Sequence, residues 1–368
     1  MCAEPSGPVH GMQAIASNLI GGALAEVQHA GDAVLFPLQQ YWWFYAVFTL
    51  FVLAVLALDL GVFHRQAHEV KYKEAVAWSV VWITLALLFN LGFWFYTSWK
   101  LALPECAELV KSMGYASPQK AANDVSLEFL AGYLIEKSLS VDNVFVFVVI
   151  FQFFAVPAKY QHRVLFYGIL GALISRAIFI ALGSVLLQYA VVIWVFGAFL
   201  VFTGAKLLFP HEQKKDLSSN PVLRVMRRVM PVTKDFHEQR FLVNIGGVRH
   251  ATPLLVALLV VEFTDILFAL DSVPAIFAVT REPLIVFTSN IVAILGLRAL
   301  YFLLAGAMDT FHLLHYGLGV VLMFVGVKLV LPIFGMHVPI GISLSVICGV
   351  IGASIALSLL FPKKPHAA

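Results

Sequence analysis

Charge is scarce in this chain. Asp, Glu, Lys and Arg make up 12% of its 368 residues, hydrophobic residues make up 61%, and mean hydropathy is +0.89. That balance points away from soluble domains and toward a membrane protein. Cysteine is nearly absent. Cys2, Cys106 and Cys348 form no CxxC pair, which leaves thiol redox chemistry and thiolate metal clusters without support. Residues 1–40 contain neither Lys nor Arg, so the basic start of a secretory signal is missing and no cleavage is expected. HExxH, GxSxG and a phosphate-cradling loop are missing too. No enzyme activity, tightly bound cofactor or nucleic-acid partner is therefore expected.

What the chain does have is apolar length. Runs of about 20 residues, the span of a bilayer core, occur at roughly 42–62, 76–97, 126–154, 164–187, 190–209, 252–279, 284–305, 312–331 and 339–361. They predict an all-α polytopic protein with about nine transmembrane helices. Residues 1–40 would form an N-terminal external segment, 41–97 two peripheral spans, 210–251 a basic cytoplasmic loop, and 339–361 the last span. The aromatic stretch Tyr41–Tyr45 suits a membrane interface. With the N-terminus outside and the C-terminus inside, fifteen of the 24 Lys and Arg fall on the inner side and four on the outer, the imbalance expected of that orientation.

Three spans in 126–209 and three in 252–331 read as copies of one unit. Arg176 and Arg298, Gly204 and Gly326, and Lys206 and Lys328 are each 122 positions apart. Glu136 and Asp265, Asp142 and Asp271, and Val144 and Val273 are each 129 apart, so the first copy carries seven more residues between its acid and its arginine. An odd number of spans per copy predicts an inverted repeat, the architecture in which many secondary transporters bind substrate between halves.

The acids lie where lipid should be. Glu262, Asp265 and Asp271 interrupt the run Val261–Phe277, and Glu136 and Asp142 interrupt the earlier one. An unpaired charge there costs several kcal/mol, so such a placement marks a site. Six helical residues turn through about 600°, which aims Asp265 and Asp271 about 120° apart. Pro274 lacks an N–H and leaves the Leu270 carbonyl without its helical donor, so an unwound segment beside Asp271 is predicted. The first copy has no such proline and offers Ser138, Ser140 and Asn143 instead. Crossing of the two segments would bring Asp142 and Asp271 together, backed by Asn143 and Ser272. These oxygen ligands suit a hard cation such as Mn²⁺, Mg²⁺ or Ca²⁺.

The competing reading is a fixed ion-pair network in a structural or regulatory membrane protein. Lys137, Arg176 and Arg298 lie deep enough to balance three acids, while Lys206 and Lys328 sit near span ends and can snorkel. Five acids against three deep bases leave two negative charges over, which one divalent cation or two protons would neutralise. Asp59 is a candidate vestibule ligand, equally readable as an interfacial partner of His64 and Arg65. His64 and His68 lack a third ligand and read as solvated. Residues 221–230, PVLRVMRRVM, predict an amphipathic helix whose arginines meet anionic lipids. The loop 98–125 reads as an external connection. Oligomeric state is left open.

The segments LDLGVFHR, YLIEKSLSVDNVFVF, ATPLL, EFTDILFALDSVPAIFAVT, SNIVAILGLRALYFLLAG and GVKLV occur in this order between about Tyr41 and Phe361. In that order they resemble the TerC/Alx family of bacterial inner-membrane proteins. The resemblance implies a multi-pass cation exporter of the inner membrane, with manganese the transported ion of Alx-like members and tellurite resistance associated with others. It also implies that the family's acidic motif residues carry over onto Glu136, Asp142, Glu262, Asp265 and Asp271. Some relatives are labelled redox modulators, a label to which three scattered cysteines lend no physical basis.

Overall fold

The computed structural model describes residues 34–58, 72–187, 189–209, 230–233, 235–305 and 313–361. Its helices are α1 (Leu38–Leu58), α2 (Tyr72–Leu101), α3 (Ala107–Ser112), α4 (Pro118–Phe153), α5 (Ala158–Leu186), α6 (Ala190–Leu208), α7 (Pro253–Phe277), α8 (Pro283–Leu295), α9 (Leu297–Leu304), α10 (Leu314–Val330) and α11 (Ile340–Leu360). In lipid every backbone N–H and C=O must find a partner inside its own segment, so apolar runs of this length become helices. Proline marks several starts, where its missing N–H would have been unpaired anyway. Pro118, Pro253 and Pro283 occupy the first helical position of α4, α7 and α8, and the Ser117 hydroxyl accepts the Lys120 N–H at 3.1 Å.

Among the described residues seven helices are long and apolar enough to cross a membrane, and the bent pair α8–α9 makes an eighth. The remaining expected span, 126–154, lies within α4, a helix of 36 residues that carries Glu136, Lys137 and Asp142 and is not among those eight. Asp59, His64 and His68, the 221–229 helix and nearly all of the N-terminal segment lie outside the described residues.

The expected unwinding at Pro274 does not occur. α7 runs unbroken through it to Phe277, because Pro274 sits in the last turn and its neighbours are packed in place. Val273, Ala275, Ile276 and Phe277 are all buried, with Phe277 seated against Gly183 of α5. The break comes instead at Gly296, where α8 and α9 meet at 43°. The Lys137 ammonium lies against Gly296 and makes a long contact, 3.4 Å, to the Ala293 carbonyl beside the bend. Lys137 therefore sits on the backbone break, with the Glu136 carboxylate close enough to act on its charge.

α4 forms the centre of the bundle, packed on α2, α7, α8 and α11, while α5 lies along α7 and α6 along α10. The α6–α10 contact depends on glycine. A methyl on Gly204 would stand 2.5 Å from the Gly319 carbonyl oxygen, and one on Gly326 would stand 2.8 Å from that of Gly197. Small residues let membrane helices approach this closely. Gly204→Ala is expected to destabilise the protein by about 1–3 kcal/mol through forced separation of two backbones. Gly349→Ala, at a position with open space around it, is expected to leave thermal unfolding in detergent unchanged.

Two features went unanticipated. Leu242–Ile245 and Val248–Ala251 form an antiparallel hairpin, β1–β2, in the basic loop. Its turn residues Gly246 and Gly247 both have positive φ, 61° and 81°, as a two-residue hairpin turn requires. The second feature is Glu282, in the α7–α8 connection, which accepts the backbone N–H groups of Leu35 and Phe36 at 2.7 and 3.2 Å. Burial raises this carboxyl to about 7. A carboxyl raised on folding contributes stability that is full below its ordinary value and lost as pH rises through about 7. The unfolding temperature should thus fall between about pH 5 and pH 8, and Glu282→Gln should flatten that slope; equal slopes in both proteins would contradict the linkage.

Candidate cation site

Four helices meet on one guanidinium. Arg176 of α5 pairs through Nη1 with Glu136 of α4 and, at 3.4 Å through Nη2, with Asp265 of α7. Nη1 also donates to Ser272 Oγ at 3.1 Å and to Asn290 Oδ1 of α8 at 3.3 Å, and Asn290 Nδ2 donates to Glu136 Oε2 at 3.1 Å. All five side chains are buried, with exposures of 0–2% for the three charged ones. Taken as ionised, two carboxylates and one guanidinium leave one negative charge away from water.

The cluster is not fully satisfied. Among the described residues Asp265 Oδ2 and Arg176 Nε are buried without a hydrogen-bond partner, as is Ser140 Oγ one turn beyond Glu136 on α4. Buried carboxylate oxygens are strong acceptors, and leaving one unpaired costs about 1–3 kcal/mol or more. Asp265 also borders, with Arg298, Gly168 and Val261, a cavity of about 10 Å³. That is close to the smallest space able to hold one water or a bare ion of similar size.

The expected meeting of Asp142 and Asp271 is replaced by that of Glu136 and Asp265. Because α7 stays helical, Asp265 and Asp271 face different neighbours, as the six-residue spacing requires. Asp271 is half-buried toward α6, where Thr203 Oγ1 donates to it at 3.4 Å. Asp142 is half-buried and Asn143 buried on α4, but neither joins the Arg176 cluster. Glu262 rests its carboxylate on the bare backbone of Gly171 in α5, beside Asp265 but apart from the guanidinium. Arg298 is buried and lines the same small cavity as Asp265. Among the described residues no three His, Cys, Asp or Glu side chains converge as a metal site would. The site has two carboxylates, an amide and a hydroxyl around a resident cation.

Asn290, Ser289 and Gly171 were not singled out in the sequence. An Asn inside an otherwise apolar helix was a readable signal, since an amide at that depth needs partners. Gly171 carried none, because its role appears only once Glu262 is seen against it.

The sequence model of the family described as Integral membrane protein TerC family matches residues 121–366. The chain is 51% identical to the membrane protein STKORF319 of Myxococcus xanthus over 88% of this chain and 93% of that one. It is 46% identical to the Escherichia coli K12 protein named "Putative membrane-bound redox modulator Alx", over 83% of this chain and 90% of that one. It is 43% identical to the thylakoid membrane protein TERC of Arabidopsis thaliana, over 69% and 66%. No solved structure matches the chain.

Proposed function

Since this chain belongs to the TerC family of integral membrane proteins, we propose that it exports a hard divalent cation, Mn²⁺ first among the candidates, across a bacterial inner membrane. The observation that carries the reading is the pairing of Glu136 and Asp265, from two different helices, on one buried cation with an acceptor oxygen left over. Arg176 is then the tethered counter-charge of the cargo-free state. A divalent cation arriving from the cytoplasm takes the two carboxylates, with Asn290 and Ser272 as neutral oxygen ligands, and the guanidinium withdraws. When the halves rock outward the guanidinium returns and displaces the ion, and protons can assist at either carboxylate.

The inverted repeat belongs to this reading. Gly197 meets Gly326 and Gly204 meets Gly319; an offset of 122 exchanges the two contacts, a reciprocity that a two-fold relation between repeats would produce. Glu136 and Asp265, equivalent at an offset of 129, meet on one guanidinium. The N-out, C-in orientation rests on the Lys and Arg imbalance.

One observation favours the alternative of a structural or regulatory membrane protein: the charges of the cluster are already paired on Arg176. Transport separates the two. Everted vesicles containing the protein should accumulate Mn²⁺, tested beside Mg²⁺, Ca²⁺ and Zn²⁺ with and without a pH gradient; vesicles that accumulate no divalent ion under any condition would exclude the exporter.

A further inference from the structure

A second carboxylate lies on the same stripe of α4 as Glu136. Glu128, Gly132 and Glu136 are spaced four apart, so each stands about 6 Å further along the helix and only about 40° round from the last. Gly132 is a gap in the stripe: Ser289 Oγ of α8 comes within 2.6 Å of where a Cβ would be, and Ile276 within 3.1 Å. Ser289 is the neighbour of Asn290, which holds Glu136. Glu128 therefore connects to the buried cluster by a line with no apolar side chain on α4 itself. Beyond Glu128 the line opens into a cleft of about 550 Å³ whose lining includes Lys120, Asp124, Glu128, Thr280, Lys328 and His337. The cleft lies where the α3–α4, α7–α8 and α10–α11 connections come together, the end of the bundle that the basic-residue count places outside.

Charge in the cleft is arranged more loosely than at Arg176, where the cation is closed on both acids. Lys120 and Asp124 pair with each other at 2.6 Å. Glu128 Oε2 accepts from Thr280 Oγ1 at 2.6 Å, and Arg281 and, from α10, Lys328 line the same cleft, Lys328 close enough to act on the Glu128 charge. Lys328 is 9% exposed and lines the cleft, and among the described residues it makes no hydrogen bond or ion pair. A buried ammonium left near a carboxylate without closing on it leaves room for a competing positive ion.

We propose that this cleft is the outward mouth of the transport path, with Glu128 an outer site for the same class of hard divalent cation and Lys328 its tethered competitor. The inference rests on the exporter reading. The ion leaves Glu136, passes the Gly132–Ser289 constriction when Ile276 moves aside, and is held at Glu128 until Lys328 displaces it into the cleft. A site that must release its ion needs binding weak enough to leave, and a movable internal cation supplies that.

Full-length Glu128→Gln and Lys328→Gln proteins test the idea through Mn²⁺ uptake by everted vesicles and Mn²⁺ binding at equilibrium. Glu128→Gln should slow uptake roughly tenfold while leaving the affinity of the central site unchanged. Lys328→Gln should bind an additional Mn²⁺ per chain, because the outer site has lost its competitor. Wild-type uptake by Glu128→Gln vesicles would overturn the mouth while the exporter stands, provided that Glu136→Gln vesicles are inactive. Failure of the wild-type protein to take up any ion would remove both. Should either variant be lost from the membrane, His337→Cys offers an independent reading in a chain whose Cys2, Cys106 and Cys348 are Ser. Labelling of that cysteine by an impermeant maleimide from outside should be slowed by Mn²⁺, and labelling indifferent to Mn²⁺ would overturn the outer site.

Discussion

Arg176→Gln is expected to remove most of the folded protein from the membrane, and Glu136→Gln added to it is expected to restore much of what is lost. The Arg176 guanidinium lies directly on both buried carboxylates. Without it, Glu136 and Asp265 would be like charges facing each other in a medium that cannot solvate either. Removing one partner of a buried pair costs about 3–5 kcal/mol, because the remaining charge is stranded. That is a large part of the stability of most proteins. Neutralising Glu136 as well leaves one acid, which can take a proton, so the double variant should be more abundant than the single one. Detergent extraction followed by size-exclusion chromatography measures this. Equal amounts of Arg176→Gln and wild-type protein would mean that the cluster is already neutralised by protons and that Arg176 is not its counter-charge.

Glu136→Gln and Asp265→Asn should behave in the opposite way, keeping the protein while losing its transport. Each leaves Arg176 with one carboxylate, a neutral pair that still has Asn290 and Ser272 as hydrogen-bond partners. Each also takes from the cation one of two charged ligands at a depth where no water can replace it. Mn²⁺ uptake should fall by about a hundredfold or more, the loss of roughly 3 kcal/mol of binding, with membrane-inserted protein near the wild-type amount. A purely structural network reverses the pattern, since there the same substitutions reduce the folded protein in proportion to any signal they lose.

The spans were legible because a bilayer requires about 20 apolar residues per crossing, a signal strong enough to survive the acids of α4. Grouping Glu136, Asp265 and Arg176 in one place was not. It depends on the rotation and relative depth of three helices, and one sequence carries no information on either. Helix geometry did separate Asp265 from Asp271, and the structure keeps them apart on an unbroken α7. The bend was sought at Pro274 because proline removes a hydrogen bond, yet in a final turn packed on all sides that loss distorts little. Gly296 bends instead, with the long amine of Lys137 reaching across from α4. The Gly246–Gly247 turn could have been found, since two glycines between alternating apolar residues are a hairpin signal. It was hidden by reading 210–251 as one basic cytoplasmic loop with a single helix at 221–230.

Equilibrium binding of Mn²⁺ to the purified protein, compared with Glu136→Gln and Asp265→Asn proteins that remain folded, goes most directly to whether a cation and Arg176 share the same two carboxylates. The wild-type chain should bind an ion in the central site, and each variant should lose it. Undiminished binding in both variants, or none in the wild type, would contradict a cation site at Glu136 and Asp265.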